Sequence, residues 1–129
     1  MTIKKSMRGL LVVSVLTLLA VPAVARRPAA VDCADLVDSA CISELESLCI
    51  ATENAGSLKN RDRNALVGKV LGANVKLVQD KVDDGGAKLD DYDRKLNALN
   101  EARKPKISDD DFAALLTELL EAQLCVGGL

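Results

Sequence analysis

The sequence predicts an all-α protein, a small antiparallel bundle of three to four helices stabilised by disulfides. Three observations carry that prediction. Residues 89–120 read as two amphipathic helices joined by a short loop. Upstream, Leu66, Val70, Ala73 and Leu77 recur at spacings of four, three and four, which is the stripe of another helix. The chain also carries four cysteines behind what reads as an export signal. An even cysteine count in an exported chain points to disulfides.

The amino terminus reads as a cleaved secretory signal peptide spanning residues 1–25. Lys4, Lys5 and Arg8 precede an apolar run over residues 10–20, and Pro22 leads into Ala23-Val24-Ala25, an A-x-A cleavage site. The apolar run is too short to span a bilayer hydrocarbon core of about 30 Å comfortably, so an anchor is the weaker reading. Arg26-Arg27 follows the apolar run, whereas a twin-arginine signal precedes it. Cleavage after Ala25 leaves 104 residues, enough for one small domain. Residues 26–42 are then expected to form a tail and a small cysteine loop, and residues 43–129 the helical bundle.

Removing the signal leaves 14 basic and 19 acidic residues, a charge of −5. Nucleic acid and anionic lipid both reward clustered Lys and Arg, so neither is an expected partner. Tyr92 and Phe112 are the only aromatic residues, which also removes the stacking platforms of single-strand binders. No membrane association is expected once the signal is gone.

Cys33, Cys41, Cys49 and Cys125 allow three pairings. Residues eight apart on a straight helix are separated by about 12 Å at ~1.5 Å per residue. That exceeds the roughly 7 Å reach of a disulfide. If all four cysteines pair within the chain, residues 33–49 therefore cannot be one unbroken helix. Ser43-Glu44-Leu45-Glu46 fits a capping box, with Ser43 as N-cap of a helix that includes Cys49. This favours Cys33–Cys41 closing a small loop and Cys49–Cys125 joining the first helix to the last. A thiol-based activity is less supported, because the chain has no C-x-x-C motif and no histidine.

The central helix is expected from Asp62 to about Val82. Gly68 and Gly72, four apart, suggest close helix packing, with a hinge or a backbone–ligand contact as the alternative. Gly85-Gly86 is expected to end this helix and turn the chain. In the next helix Leu89, Tyr92, Leu96 and Leu99 share one stripe, and Pro105 lies beyond its end. The last helix has the fullest start signal. Ser108 stands as N-cap, Asp109, Asp110 and Asp111 complement the helix dipole, and Ile107 and Phe112 are spaced as a hydrophobic staple. Phe112, Leu115, Leu116, Leu119 and Leu120 are its expected buried stripe.

GSLKNRDRNALVGKVLGA and KLNALNEARKPKISDDDFAALL together resemble the FIMAH domain, a small helical module appended to many secreted bacterial proteins and exoenzymes. The matching stretches are the turn at 56–60, the helix opening at 64–71, the helix at 95–99 and the turn at 104–108. The four cysteines are additional to that pattern. The resemblance implies a helical fold and an accessory role, and it carries no catalytic residue with it.

The chemistry-bearing residues are mainly carboxylates. Asp80, Asp83, Asp84, Asp90, Asp91 and Asp93 crowd one stretch, but the spacing and closing Glu of an EF-hand loop are missing. No G-x-S-x-G, H-E-x-x-H or phosphate-binding loop is present. No catalytic, metal or cofactor residue is assigned. The expectation is an exported, non-catalytic, FIMAH-like domain, secreted or periplasmic, that acts through a protein partner. The alternative is a small-ligand or calcium-binding protein using the acidic stretch at 80–93.

Overall fold

The computed structural model describes residues 32–129. The expected signal peptide at 1–25 and residues 26–31 of the expected tail lie outside the described residues. A single 3-10 turn, Cys33–Asp35, precedes four α-helices: α1 (Ile42–Glu53), α2 (Asn60–Val78), α3 (Val82–Glu101) and α4 (Asp109–Gly127). Each helix packs against the next in sequence, and α4 closes the ring against α1. Short connections make neighbours antiparallel. Among the described residues there is no strand, and no helix is long and apolar enough to cross a membrane.

The core is aliphatic. Leu45 and Leu48 of α1, Leu66, Val67 and Val70 of α2, Leu89 and Leu96 of α3, and Leu119 of α4 are fully buried. Each large aliphatic side chain contributes roughly 1.5–3 kcal/mol by leaving water. The expected stripes of α2 and α3 are all inside. In α4 the stripe rotates: Leu115, Leu119, Ala122 and Val126 are buried, Phe112 and Leu116 half-buried, and Leu120 is 50% exposed. Leu120 was expected inside. It lies about 100° around the helix from Leu119, which points at the bundle axis, so the pair cannot both face inward.

Two hydrogen-bonded polar groups sit within this core. Thr52 Oγ1 donates its one hydrogen to the Leu48 carbonyl at 2.7 Å. Tyr92 must then donate its own hydroxyl hydrogen to Thr52 Oγ1, also at 2.7 Å. Burial pushes the Tyr92 hydroxyl far above the ordinary tyrosine range, and the Thr52 bond only partly opposes that. Near the other helix pair, Lys95 Nζ of α3 meets the buried Asp62 Oδ1 of α2 at 3.1 Å.

Three helix boundaries differ from expectation. First, α1 begins at Ile42, one residue before the expected cap Ser43. Cys41 is its N-cap, in the left-handed conformation at φ 64° and without a side-chain cap bond. Its carbonyl accepts from Leu45 N. Ser43 therefore lies inside the first turn. Second, α2 ends at Val78, and Gly85-Gly86 does not terminate it. Asp80, at φ 60°, occupies the left-handed position of a Schellman turn. Asp80 N bonds the Leu77 carbonyl and Lys81 N the Lys76 carbonyl, at 3.0 and 2.8 Å. Third, Gly85 and Gly86 lie inside α3. A Cβ on Gly85 would stand 3.0 Å from Leu77 Cδ2, so this glycine sets the approach of α2 and α3. Gly68, expected at such a contact, has nothing within 4 Å of its missing Cβ.

The disulfides correct the favoured pairing. Cys33 bonds Cys49, and Cys41 bonds Cys125. Cys33–Cys41 and Cys49–Cys125 are not formed, so residues 33–41 do not make a self-contained loop. The reason is level. Because α1 and α4 run antiparallel, the end of α4 lies beside the start of α1, and Cys125 meets Cys41. Cys49 sits about 12 Å further along α1. The segment before α1 folds back so that Cys33 reaches it. Asn74 of α2 holds that segment from the other side: its Oδ1 accepts from Val37 N at 2.9 Å, and its Nδ2 donates to the Val37 carbonyl at 2.8 Å and to Ser39 Oγ at 2.9 Å.

Candidate functional site

The first half of α3 and the last turns of α4 diverge around a groove of about 510 Å³. Its accessible apolar surface comes from Val82 and Ala87 of α3 and from Leu129 just past the end of α4, with the buried Leu89 and Val126 behind them. Gly86 helps to open it: a side chain there would begin 3.9 Å from Val126 Cγ1. Asp83 and Asp90, seven residues apart, put two carboxylates on the α3 wall, and no Lys or Arg lines the groove. Gln123 Nε2 approaches Asp90 Oδ1 across it at 3.4 Å. The C-terminal end of α4 adds the partial negative charge of its dipole. The site is thus apolar at its base and negative at one side.

The acidic stretch that drew attention in the sequence is dispersed by the helix that contains it. Asp80 is in the Schellman turn, and the other five acids spread around α3. Asp83 and Asp90 face the groove. Asp91 is ion-paired with Arg94, and Asp93 Oδ1 accepts from Asn97 Nδ2 at 3.0 Å. The six carboxylates do not converge on one point. Among the described residues, the one set of His, Cys, Asp or Glu atoms close enough to share a metal is Cys41, Glu44 and Cys125. The two sulfurs of that set are bonded to each other, so they offer no thiolate.

At the opposite end of the bundle, Ser57 joins two loops. Its backbone N and Oγ both donate to Asp111 Oδ2, at 3.0 and 2.5 Å, and its Oγ accepts from Ser108 N at 3.0 Å. Ser108 Oγ in turn caps α4 by accepting from Asp111 N at 3.2 Å, as expected. These bonds, led by the Ser57 hydroxyl, hold the Asp111 carboxyl below its ordinary range. Arg63 holds the same corner, donating to the Ala55 and Leu58 carbonyls at 3.2 and 2.9 Å. The Ser57 hydroxyl donates to the Asp111 carboxylate and accepts from Ser108 N, so Ser57 has no free base beside it and is committed to a structural role. Cys33, Cys41, Cys49 and Cys125 likewise act as cross-links.

The groove itself was not read from the sequence. One signal was available: α4 has five leucines at 115, 116, 119, 120 and 124, more than one buried stripe accepts. The surplus emerges as Leu120 and Leu124, 50% and 77% exposed. They are four apart, on the flank of α4 that leads from Gln123 and Gly127 away from α1. Compared with protein families, with curated proteins and with solved structures, the chain gives no match.

Proposed function

We propose that this is an exported, non-catalytic helical module that works by binding another protein, as the resemblance to the FIMAH domain implies. The observation that carries the proposal is the pair Leu120 and Leu124, apolar and exposed beside an open groove. Leucines so exposed on a rigid helix lose water contact favourably only against a partner. The two disulfides support a working life in an oxidising compartment, secreted or periplasmic. The Cys41–Cys125 bond also ties the end of α4, next to Leu124, to α1 before it meets a partner, which lowers the entropy cost of association.

Affinity capture of the protein from its own host's envelope and culture medium, followed by mass spectrometry, tests this. One enriched exoenzyme or envelope protein at physiological salt is the expected result. Recovery of no protein above background would count against an interaction module.

A further inference from the structure

We infer that the α3/α4 groove is the binding site, and that it takes a basic, amphipathic helical segment of the partner protein. The inference rests on the reading of the chain as an interaction module and adds the site and the chemistry of its occupant. Charge complementarity selects the occupant. Asp83 and Asp90 belong to neither ion pair formed among the described residues, and the groove contains no cation to balance them. Anionic lipid and nucleic acid are repelled by such a wall, and a second copy of this chain would bring the same two carboxylates.

Geometry selects the form. Asp83 and Asp90 are two helical turns apart on one face, about 10.5 Å along the axis. Lysines or arginines seven residues apart on a helix lying along α3 match that separation. At about 510 Å³ the groove holds side chains but no helix backbone. The partner helix therefore lies across the mouth and lays apolar side chains against Val82, Ala87 and Leu129, the apolar lining residues that remain accessible. Its adjoining apolar face covers Leu120 and Leu124. This is helix-in-groove recognition, with apolar anchors for affinity and a charged rim for orientation.

The test is an NMR titration of the 15N-labelled protein with a synthetic helical peptide of leucine and lysine, its lysines seven apart, and with the same peptide carrying glutamate for lysine. The basic peptide is expected to shift amides at 82–90 and 120–129, and the acidic one to leave them in place. D83N/D90N is expected to weaken binding about tenfold, while D84N/E121Q, an equal charge change outside the groove, leaves it unchanged. Shifts mapping elsewhere, equal weakening by both variants, or no binding at millimolar peptide would each overturn the assignment. The capture experiment repeated with D83N/D90N separates the two levels of argument. Equal recovery of the same partner by the variant leaves the module reading intact and removes the groove from it. Recovery of no partner by the unmutated protein removes the module reading itself.

Discussion

The Thr52–Tyr92 pair shows how one residue's hydrogen-bond inventory decides the effect of its replacement. Thr52 has a single hydrogen, already given to the Leu48 carbonyl, so it can only accept from Tyr92. Tyr92→Phe removes the donor and leaves Thr52 bonded through its hydrogen. Its expected cost is below about 1 kcal/mol. Thr52→Val keeps the volume and leaves the fully buried Tyr92 hydroxyl with no acceptor. That should cost about 2 kcal/mol, within the range for a buried unsatisfied polar group. Urea denaturation of the two variants checks the order, and a larger loss for Tyr92→Phe would reverse the donor assignment. Asp111 illustrates a weaker, exposed case. Because its carboxyl is held low, its bonds to Ser57 contribute above the ordinary Asp range and are lost as pH falls through the lowered value.

Among the helices, the glycines and the turn before α3 divide by what surrounds them. Gly68 is in mid-helix with open space at its missing Cβ, so Gly68→Ala should stabilise by about 1 kcal/mol through helix propensity. Gly85→Ala gains the same propensity but drives a methyl to 3.0 Å from Leu77, which is itself buried, and should be net destabilising. Asp80→Gly relieves a left-handed non-glycine residue and should stabilise the α2–α3 turn. Thermal melts of the three variants, two up and one down, check the assignment. A rise for Gly85→Ala would mean that the α2–α3 contact yields easily. The same residues show why the sequence misplaced this turn. Glycine is the common helix terminator, so Gly85-Gly86 drew the boundary toward itself. Asp tolerates the left-handed position well enough to serve, and Gly85 is required by helix approach instead. The Ser108 start was legible because its capping bond, Asp111 N to Ser108 Oγ, is local, whereas the Ser57 bonds that brace it are not. The Leu120 error arose because a run of leucines does not say which of them faces the axis.

At the scale of the whole molecule, helix content and the buried stripes of α2 and α3 followed from periodicity, which is local. The groove and the disulfide pairing depend on how helices align, which it does not report. Yet part of the alignment was accessible. An antiparallel α1–α4 pair with the end of α4 level with the start of α1 sets Cys125 beside Cys41 and not beside Cys49. The capping box at Ser43 instead favoured a separate loop before the helix. The two bonds differ in what they restrain: Cys33–Cys49 spans 16 residues and Cys41–Cys125 spans 84. On chain-entropy grounds they contribute roughly 3 and 4.6 kcal/mol. Losing the longer link should therefore lower stability more, since it alone ties the first helix to the last. The pairing itself can be read directly by mass spectrometry of the unreduced protein. Trypsin is uninformative, because no Lys or Arg lies between residues 28 and 58, and three of the cysteines stay on one peptide. Asp-N cuts at Asp35 and Asp38, between Cys33 and Cys41, and Glu-C cuts at Glu44 and Glu46, between Cys41 and Cys49. The double digest should yield one linked pair carrying Cys33 with Cys49 and another carrying Cys41 with Cys125. A fragment joining Cys49 to Cys125 would instead require the end of α4 to reach two turns up α1. The α3/α4 groove, built from that same end of α4, could not then have the shape described.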